Sequence, residues 1–168
     1  MQTRIVIQAA AVIALAALMQ PAAMAEGLLS TKRLSASLAG EAVMAAVQDC
    51  LKRNYSVGAV IVDYSGVQQA ALRGDGASGQ NMLNAVDKAF TAATFGEDTA
   101  QIVKRQQAGG SVSSSFSKVP HLLLASGGVV IKVGDEVIGA LGVSGAIGGD
   151  NDAVCAKAGL DKIRDRMK

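Results

Sequence analysis

The sequence predicts a mixed α/β (α+β) domain, a three-layer α/β/α sandwich built on a five-stranded antiparallel sheet. Three observations carry that expectation. Two stretches, Ser56–Asp63 and Glu136–Ser144, are apolar or small at every alternate position on both faces, as in a strand covered on both sides. Short turns rich in glycine join neighbouring strands, at Tyr64-Ser65-Gly66 and Gly134-Asp135, which suits antiparallel hairpins. Segments with apolar residues at helical spacing flank these hairpins, in the order helix, two strands, one or two helices, three strands, helix.

Each element has a local reason. Leu29–Leu34 is a short lead-in with the character of an edge strand. A helix is expected over residues 37–53, capped by Ser35 or Ser37, with a stripe of Ala39, Val43, Ala46, Val47, Cys50 and Leu51. After Asn54 comes the strand 56–63. Its return strand, residues 67–72, carries Gln68 and Gln69 and therefore belongs near an edge. Ser78 can cap a helix over residues 79–95, with Met82, Val86, Ala89, Phe90 and Ala93 as its buried stripe. Asn84, Asp87, Lys88, Thr91 and Thr94 form a polar stripe on the same helix. Residues 99–107 predict a second, short helix. Residues 108–118, AGGSVSSSFSK, read as a Gly/Ser-rich loop. Residues 121–125 read as a strand leading into the hairpin of 128–133 and 136–144. Gly139 and Gly142 leave that second strand bare, so a helix or a flat ligand can approach its backbone. The last helix is expected from about Asp152, capped by Asp150 or Asp152, with Ala153, Ala156, Leu160, Ile163 and Met167 inward.

The first 25 residues have the form of a secretory signal peptide: Arg4, an apolar run over residues 9–19, and the small-x-small site Ala23-Met24-Ala25. That apolar run is shorter than the ~18–20 residues of a spanning helix. The expectation is a periplasmic or secreted protein with one domain over residues 26–168 and no membrane span after cleavage. Sixteen Lys and Arg against fourteen Asp and Glu leave no basic surface for nucleic acid or anionic membranes. Three Phe, two Tyr and no Trp give no stacking platform for bases.

Chemistry-bearing residues are few. The single histidine, His121, excludes multi-histidine metal sites, and no nucleophile-elbow motif accompanies it. It reads either as a strand-edge histidine or as an axial ligand to a haem iron. Gly142-Val143-Ser144-Gly145 resembles a phosphate cradle but lacks the G-x-G-x-x-G spacing and the P-loop lysine; a close-packed strand end is the other reading. Arg73 and Asp75 flank Gly74 and either pair with each other or form, with Lys88, a polar rim for an acidic ligand.

Six runs in fixed order resemble the GlcG/HbpS family of haem-associated domains. They are Val62-Asp63-Tyr64-Ser65-Gly66; Leu72-Arg73-Gly74-Asp75-Gly76-Ala77; Asp87-Lys88-Ala89-Phe90-Thr91-Ala92; Gly127-Gly128; the stretch from Val137 to Gly145; and Asp152 with Ala158-Gly159-Leu160. The resemblance spans residues 34–165. Two positions depart from it: Gly74 stands where the family usually has a bulky residue, and Val129-Val130 where a proline usually follows the double glycine. The resemblance implies a profilin-like fold, homo-oligomers, and haem or another tetrapyrrole as ligand. It places the ligand among Arg73, Asp75, Gly76, Ala77, Lys88, Thr91, Gly127, Gly128, Gly142, Ser144 and Gly145. Glycines would form flat walls, and Arg73 and Lys88 would receive propionates. His121 is the default iron ligand, with Met44 and Met82 as thioether alternatives. Three function classes follow: a haem-binding module, a sensory or accessory subunit acting through a partner protein, and an enzyme of haem or small-molecule breakdown. In an exported profilin-like domain the terminal helices lie side by side, and the only two cysteines, Cys50 and Cys155, are expected to form a disulfide.

Overall fold

The computed structural model describes residue 27, residues 30–110 and residues 119–167. The expected signal peptide and most of the expected Gly/Ser loop, residues 111–118, lie outside the described residues. The described residues from Thr31 onward belong to one compact unit. Within the described residues no helix is long and apolar enough to cross a membrane.

The compact unit contains α1 (Ala36–Lys52), β1 (Gly58–Asp63), β2 (Gln68–Arg73), α2 (Gly79–Phe95), α3 (Thr99–Gln107), β3 (Gly128–Val133), β4 (Glu136–Ser144) and α4 (Gly149–Ile163), followed by a 3₁₀ turn over Arg164–Arg166. Every pairing is antiparallel, in the order β2-β1-β4-β3. The sheet thus has four strands among the described residues, not the expected five. The missing strand is residues 121–125. Pro120 opens a turn, His121 sits at φ +65°, and Leu123 N–H donates to Thr91 Oγ1 of α2 at 2.8 Å. The segment spends its backbone on a helix rather than on a neighbouring strand. The lead-in from Thr31 to Ser35 is likewise irregular.

Two apolar layers cover the sheet, as the double-sided strands require. On one face Ala59, Ile61, Val129, Ile131, Leu141 and Val143 pack against α1 and α4. On the other, Val60, Val62 and Ala140 meet Ala85, Ala89 and Ala92 of α2. The inward stripe of α2 is therefore its small residues, with Lys88 and Thr91 buried beside them. Met82, Val86 and Ala93 flank the layer only partly buried. The reason is Gly142, whose bare backbone lies directly under Ala85 O and Ala89. A large side chain facing the sheet at that point would hold the helix off. Gly142→Ala is expected to cost about 1–3 kcal/mol by overpacking a backbone contact that cannot yield, readable as a lowered thermal midpoint.

The other face repeats the device. A Cβ at Gly159 of α4 would stand 2.6 Å from Ala42 O and 2.9 Å from Ala46 Cβ. The terminal helices are drawn together there, and one turn away Cys50 and Cys155 form a disulfide with Cα atoms 5.5 Å apart.

Caps and edges follow local chemistry. Ser35 and Ser78 each accept the N–H three residues on, at 3.2 Å, as N-caps do. The start of α4 differs from expectation: it begins at Gly149 behind Gly148, with no side-chain cap. Asp150 and Asp152 fall inside its first turn and take other partners, Asp150 accepting from Ser126 Oγ at 3.0 Å. The α3 N-terminus protects the open edge of β3. Asp98 accepts Val130 N–H at 2.9 Å, and Thr99 Oγ1 both accepts Gly128 N–H and donates to Gly128 O. Half of that edge is thereby closed to further strand pairing.

Candidate functional site

Neighbouring residues of α2 send polar side chains in different directions. Lys88 points into the molecule. Its Nζ lies 2.7 Å from Asp152 Oδ2 and donates to Val143 O at 3.2 Å. The two side chains are 5% and 3% exposed. Asp152 also accepts Ala146 N–H at 2.9 Å, so one buried pair ties α2, the end of β4 and the first turn of α4 together. Burial pushes the Asp152 carboxyl above the usual carboxylate range, against the opposing pull of Lys88 and of the Ala146 and Gly145 N–H groups. Gly127 is glycine because a Cβ there would meet Val143 O, Asp152 Cβ and Lys88 Nζ, all within 2.9 Å.

Asp87, one residue earlier, points outward. Its Oδ1 lies 3.0 Å from His121 Nδ1. A carboxylate only accepts, so Nδ1 carries the hydrogen and the neutral ring keeps its lone pair on Nε2. The His121 side chain is 67% exposed. The Phe90 ring stands edge-on to it, centroids 6.1 Å apart at 65°. Thr91 secures the arrangement: its Oγ1 donates to Asp87 O at 2.7 Å while accepting Leu123 N–H. The helix and the His121 segment are thus bolted together one turn from the imidazole. The positive φ of His121 is uncommon for a residue with a side chain, and such outliers persist where the surroundings over-determine them.

The remaining candidates gather at the end of the sheet. Arg73 is exposed, and its Nη1 donates to Ala77 O at 3.4 Å; no ion pair joins it to Asp75 among the described residues. Gly74 admits no side chain, since a Cβ would stand 2.8 Å from Val57 O and 2.9 Å from Val47 Cγ1. Gly76, at φ +76°, rests on Ser56 Oγ; Ala77 is buried. Gly145 lies against Ser56 O and Asn81, and Ser144 is buried opposite Gly58.

The structure therefore does not assemble these residues into one flat-walled pocket. Gly127, Gly128, Gly142 and Gly145 already have protein packed against the places where side chains would stand. Lys88 is a buried strut and not a rim cation. Met82 sulfur lies over Gly58, and Met44 is exposed on α1. A groove of about 330 Å³ runs between β3 and α4, lined by Val129, Ile131, Lys132, Lys157, Leu160 and Met167 among others, on the face away from α2. What the structure brings together is Asp87, Phe90, Thr91 and His121. The sequence singles out His121 as the lone histidine, the family resemblance adds Thr91, and Asp87 stays one more member of a polar stripe. The 34-residue gap between Asp87 and His121 has no periodicity that could have joined them.

A family model described as "Haem degrading protein HbpS-like" matches residues 34–161. A crystal structure of HbpS is similar at 31% identity, over 85% of this chain and 99% of that one, with a TM-score of 0.76. A double mutant of HbpS from Streptomyces reticuli is similar at 32% identity, over 86% and 96%, with a TM-score of 0.75. The crystal structure of a PduOC:Heme complex shares the fold at 24% identity, over 77% and 94%, with a TM-score of 0.71. No curated protein matches the chain.

Proposed function

Since the chain belongs to the HbpS-like family, we propose that it is an exported haem-binding module in which His121 is the axial ligand. The observation that carries this reading is the outward imidazole, its Nδ1 engaged by Asp87 at 3.0 Å and its Nε2 left as the donor atom. Metal-bound histidines are commonly held in this way, with a carboxylate behind the ring fixing tautomer and orientation. One apolar ring, that of Phe90, stands against the imidazole, the kind of neighbour a largely apolar ligand needs. Leu83, one turn before Asp87 on the same helical face, is 61% exposed, and Val119 is 43% exposed. Of the two cations expected at propionates, Lys88 is buried and Arg73 stands at the end of the sheet, donating to Ala77 O. The PduOC:Heme complex, which shares this fold, supports the ligand class. The Cys50–Cys155 disulfide supports export, since such bonds persist in oxidising compartments.

When bound, haem would supply iron-centred ligand exchange and one-electron chemistry. The chain's own contribution is to present one neutral imidazole in a fixed tautomer against an apolar surface. Haemin titration of the purified protein tests this. A saturable Soret change at micromolar haemin is expected, and His121→Ala should move or abolish the band. No saturable change in the wild type would defeat the reading. Steady loss of Soret intensity with a reductant, beyond coupled oxidation, would assign turnover in its place.

A further inference from the structure

The groove between β3 and α4 has the make-up of a small-ligand site. Its volume of about 330 Å³ lies at the lower end of the range for such pockets. Its floor is aliphatic: Val129, Ile131 and Leu160 line it, and all three belong to the core layer on that face of the sheet. The rim is charged and unbalanced. Three cations, Lys132, Lys157 and Arg164, line the groove against two carboxylates, Asp98 and Asp161. Arg164 is held by Asp161. Asp98 accepts Val130 N–H through one oxygen, and Lys157 Nζ stands 4.0 Å from the other. Lys132 is exposed and has no ion-pair partner among the described residues. One positive charge is therefore left over beside an apolar floor, and a ligand carrying a single carboxylate would balance it.

We propose that this groove binds a small amphipathic carboxylate, its apolar body on Val129, Ile131 and Leu160 and its carboxylate at Lys132 and Lys157. The groove lies on the face away from α2, so it is filled independently of any ligand at His121. The apolar body supplies most of the affinity, because exposed charge pairs contribute little beside the removal of methylenes from water. The charge sets the preference among ligands of equal chain length.

Sodium decanoate, kept below its micelle concentration, is the probe. Titrated into the isotope-labelled protein, it is expected to shift the amide signals of Ile131, Lys132 and Leu160 saturably at sub-millimolar concentration. Decanol and decylamine carry the same chain without the negative charge and should bind more weakly, decylamine the weakest. Lys132→Glu removes one exposed attraction and adds one repulsion, so it is expected to weaken decanoate about fivefold and to tighten decylamine. Lys157→Gln is expected to weaken decanoate about twofold. Shifts that do not saturate, or that centre on Leu83 and His121, overturn the proposal. Decylamine binding as tightly as decanoate also overturns it, as does an affinity for decanoate that neither substitution changes, since either result shows a groove without the charge preference.

Discussion

Asp152→Ala is expected to destabilise the domain by about 3–5 kcal/mol, the usual cost of leaving one partner of a buried ion pair uncompensated. The ammonium of Lys88 would remain 5% exposed with only Val143 O to receive it, and Ala146 N–H would lose its acceptor. Lys88→Met should cost a comparable amount by stranding Asp152. Replacing both by apolar residues of similar volume should recover most of the loss, so a double-mutant cycle read by urea unfolding yields a large coupling term. The pH dependence has a definite sign. Burial lifts the folded-state pKa of Asp152 above the ordinary aspartate value of about 3.9. Such a group contributes stability that is full below the unfolded value and is lost as pH rises through the folded one. Asp152 itself therefore does not drive acid unfolding. In Asp152→Ala the stability profile should lose a component that declines with rising pH above about 3.9.

Loss of the Cys50–Cys155 disulfide is expected to cost about 2–5 kcal/mol. The bond spans a sequence separation of 105 residues, and the chain-entropy model assigns ~4.7 kcal/mol to a loop of that order. The packing around it explains why the domain needs the staple. The closest approach of α1 and α4 is at Ala42, Ala46 and Gly159, small residues that each remove little apolar area from water. A Cys50→Ala/Cys155→Ala protein should unfold at markedly lower guanidinium concentration than the oxidised wild type. Both sulfurs are fully buried, so the native wild type should resist mild reductant and lose the bond mainly on unfolding. Equal midpoints for the two proteins would show that helix packing alone holds α1 and α4.

Much of the architecture was legible because it is written in short-range patterns. The bounds of α2, α3, β3 and β4 coincide with the expected segments, since apolar periodicity, serine caps and glycine turns all act within a few residues. The segment 121–125 misled for the same reason. Its His-Leu-Leu-Leu-Ala run has strand composition, but a strand also needs a free ladder beside it. Here Thr91 takes the backbone of Leu123, and the β3 edge is occupied by Asp98 and Thr99. On the inward face of α2 the expected stripe holds at Ala89 and not at its larger residues, because clearance and not hydrophobicity decides there. Met82, Val86 and Phe90 are the larger apolar residues, yet it is Ala85 and Ala89 that lie over Gly142.

The sequence by itself determined the layered α/β order, the double-sided strands β1 and β4, a serine cap before α1 and the cap at Ser78, and a cysteine pair on helices that meet. Each of these follows from periodicity, from turn chemistry or from a family pattern. Only the tertiary structure decided that Lys88 is a strut and that Asp87 serves His121. Those two residues are adjacent on one helix and equally polar. One rotates toward the sheet, where a carboxylate 64 residues later receives it, and the other toward solvent, where an imidazole 34 residues later does. A side chain's charge is local information. Its partner is set by where distant segments cross, and therefore so is its role.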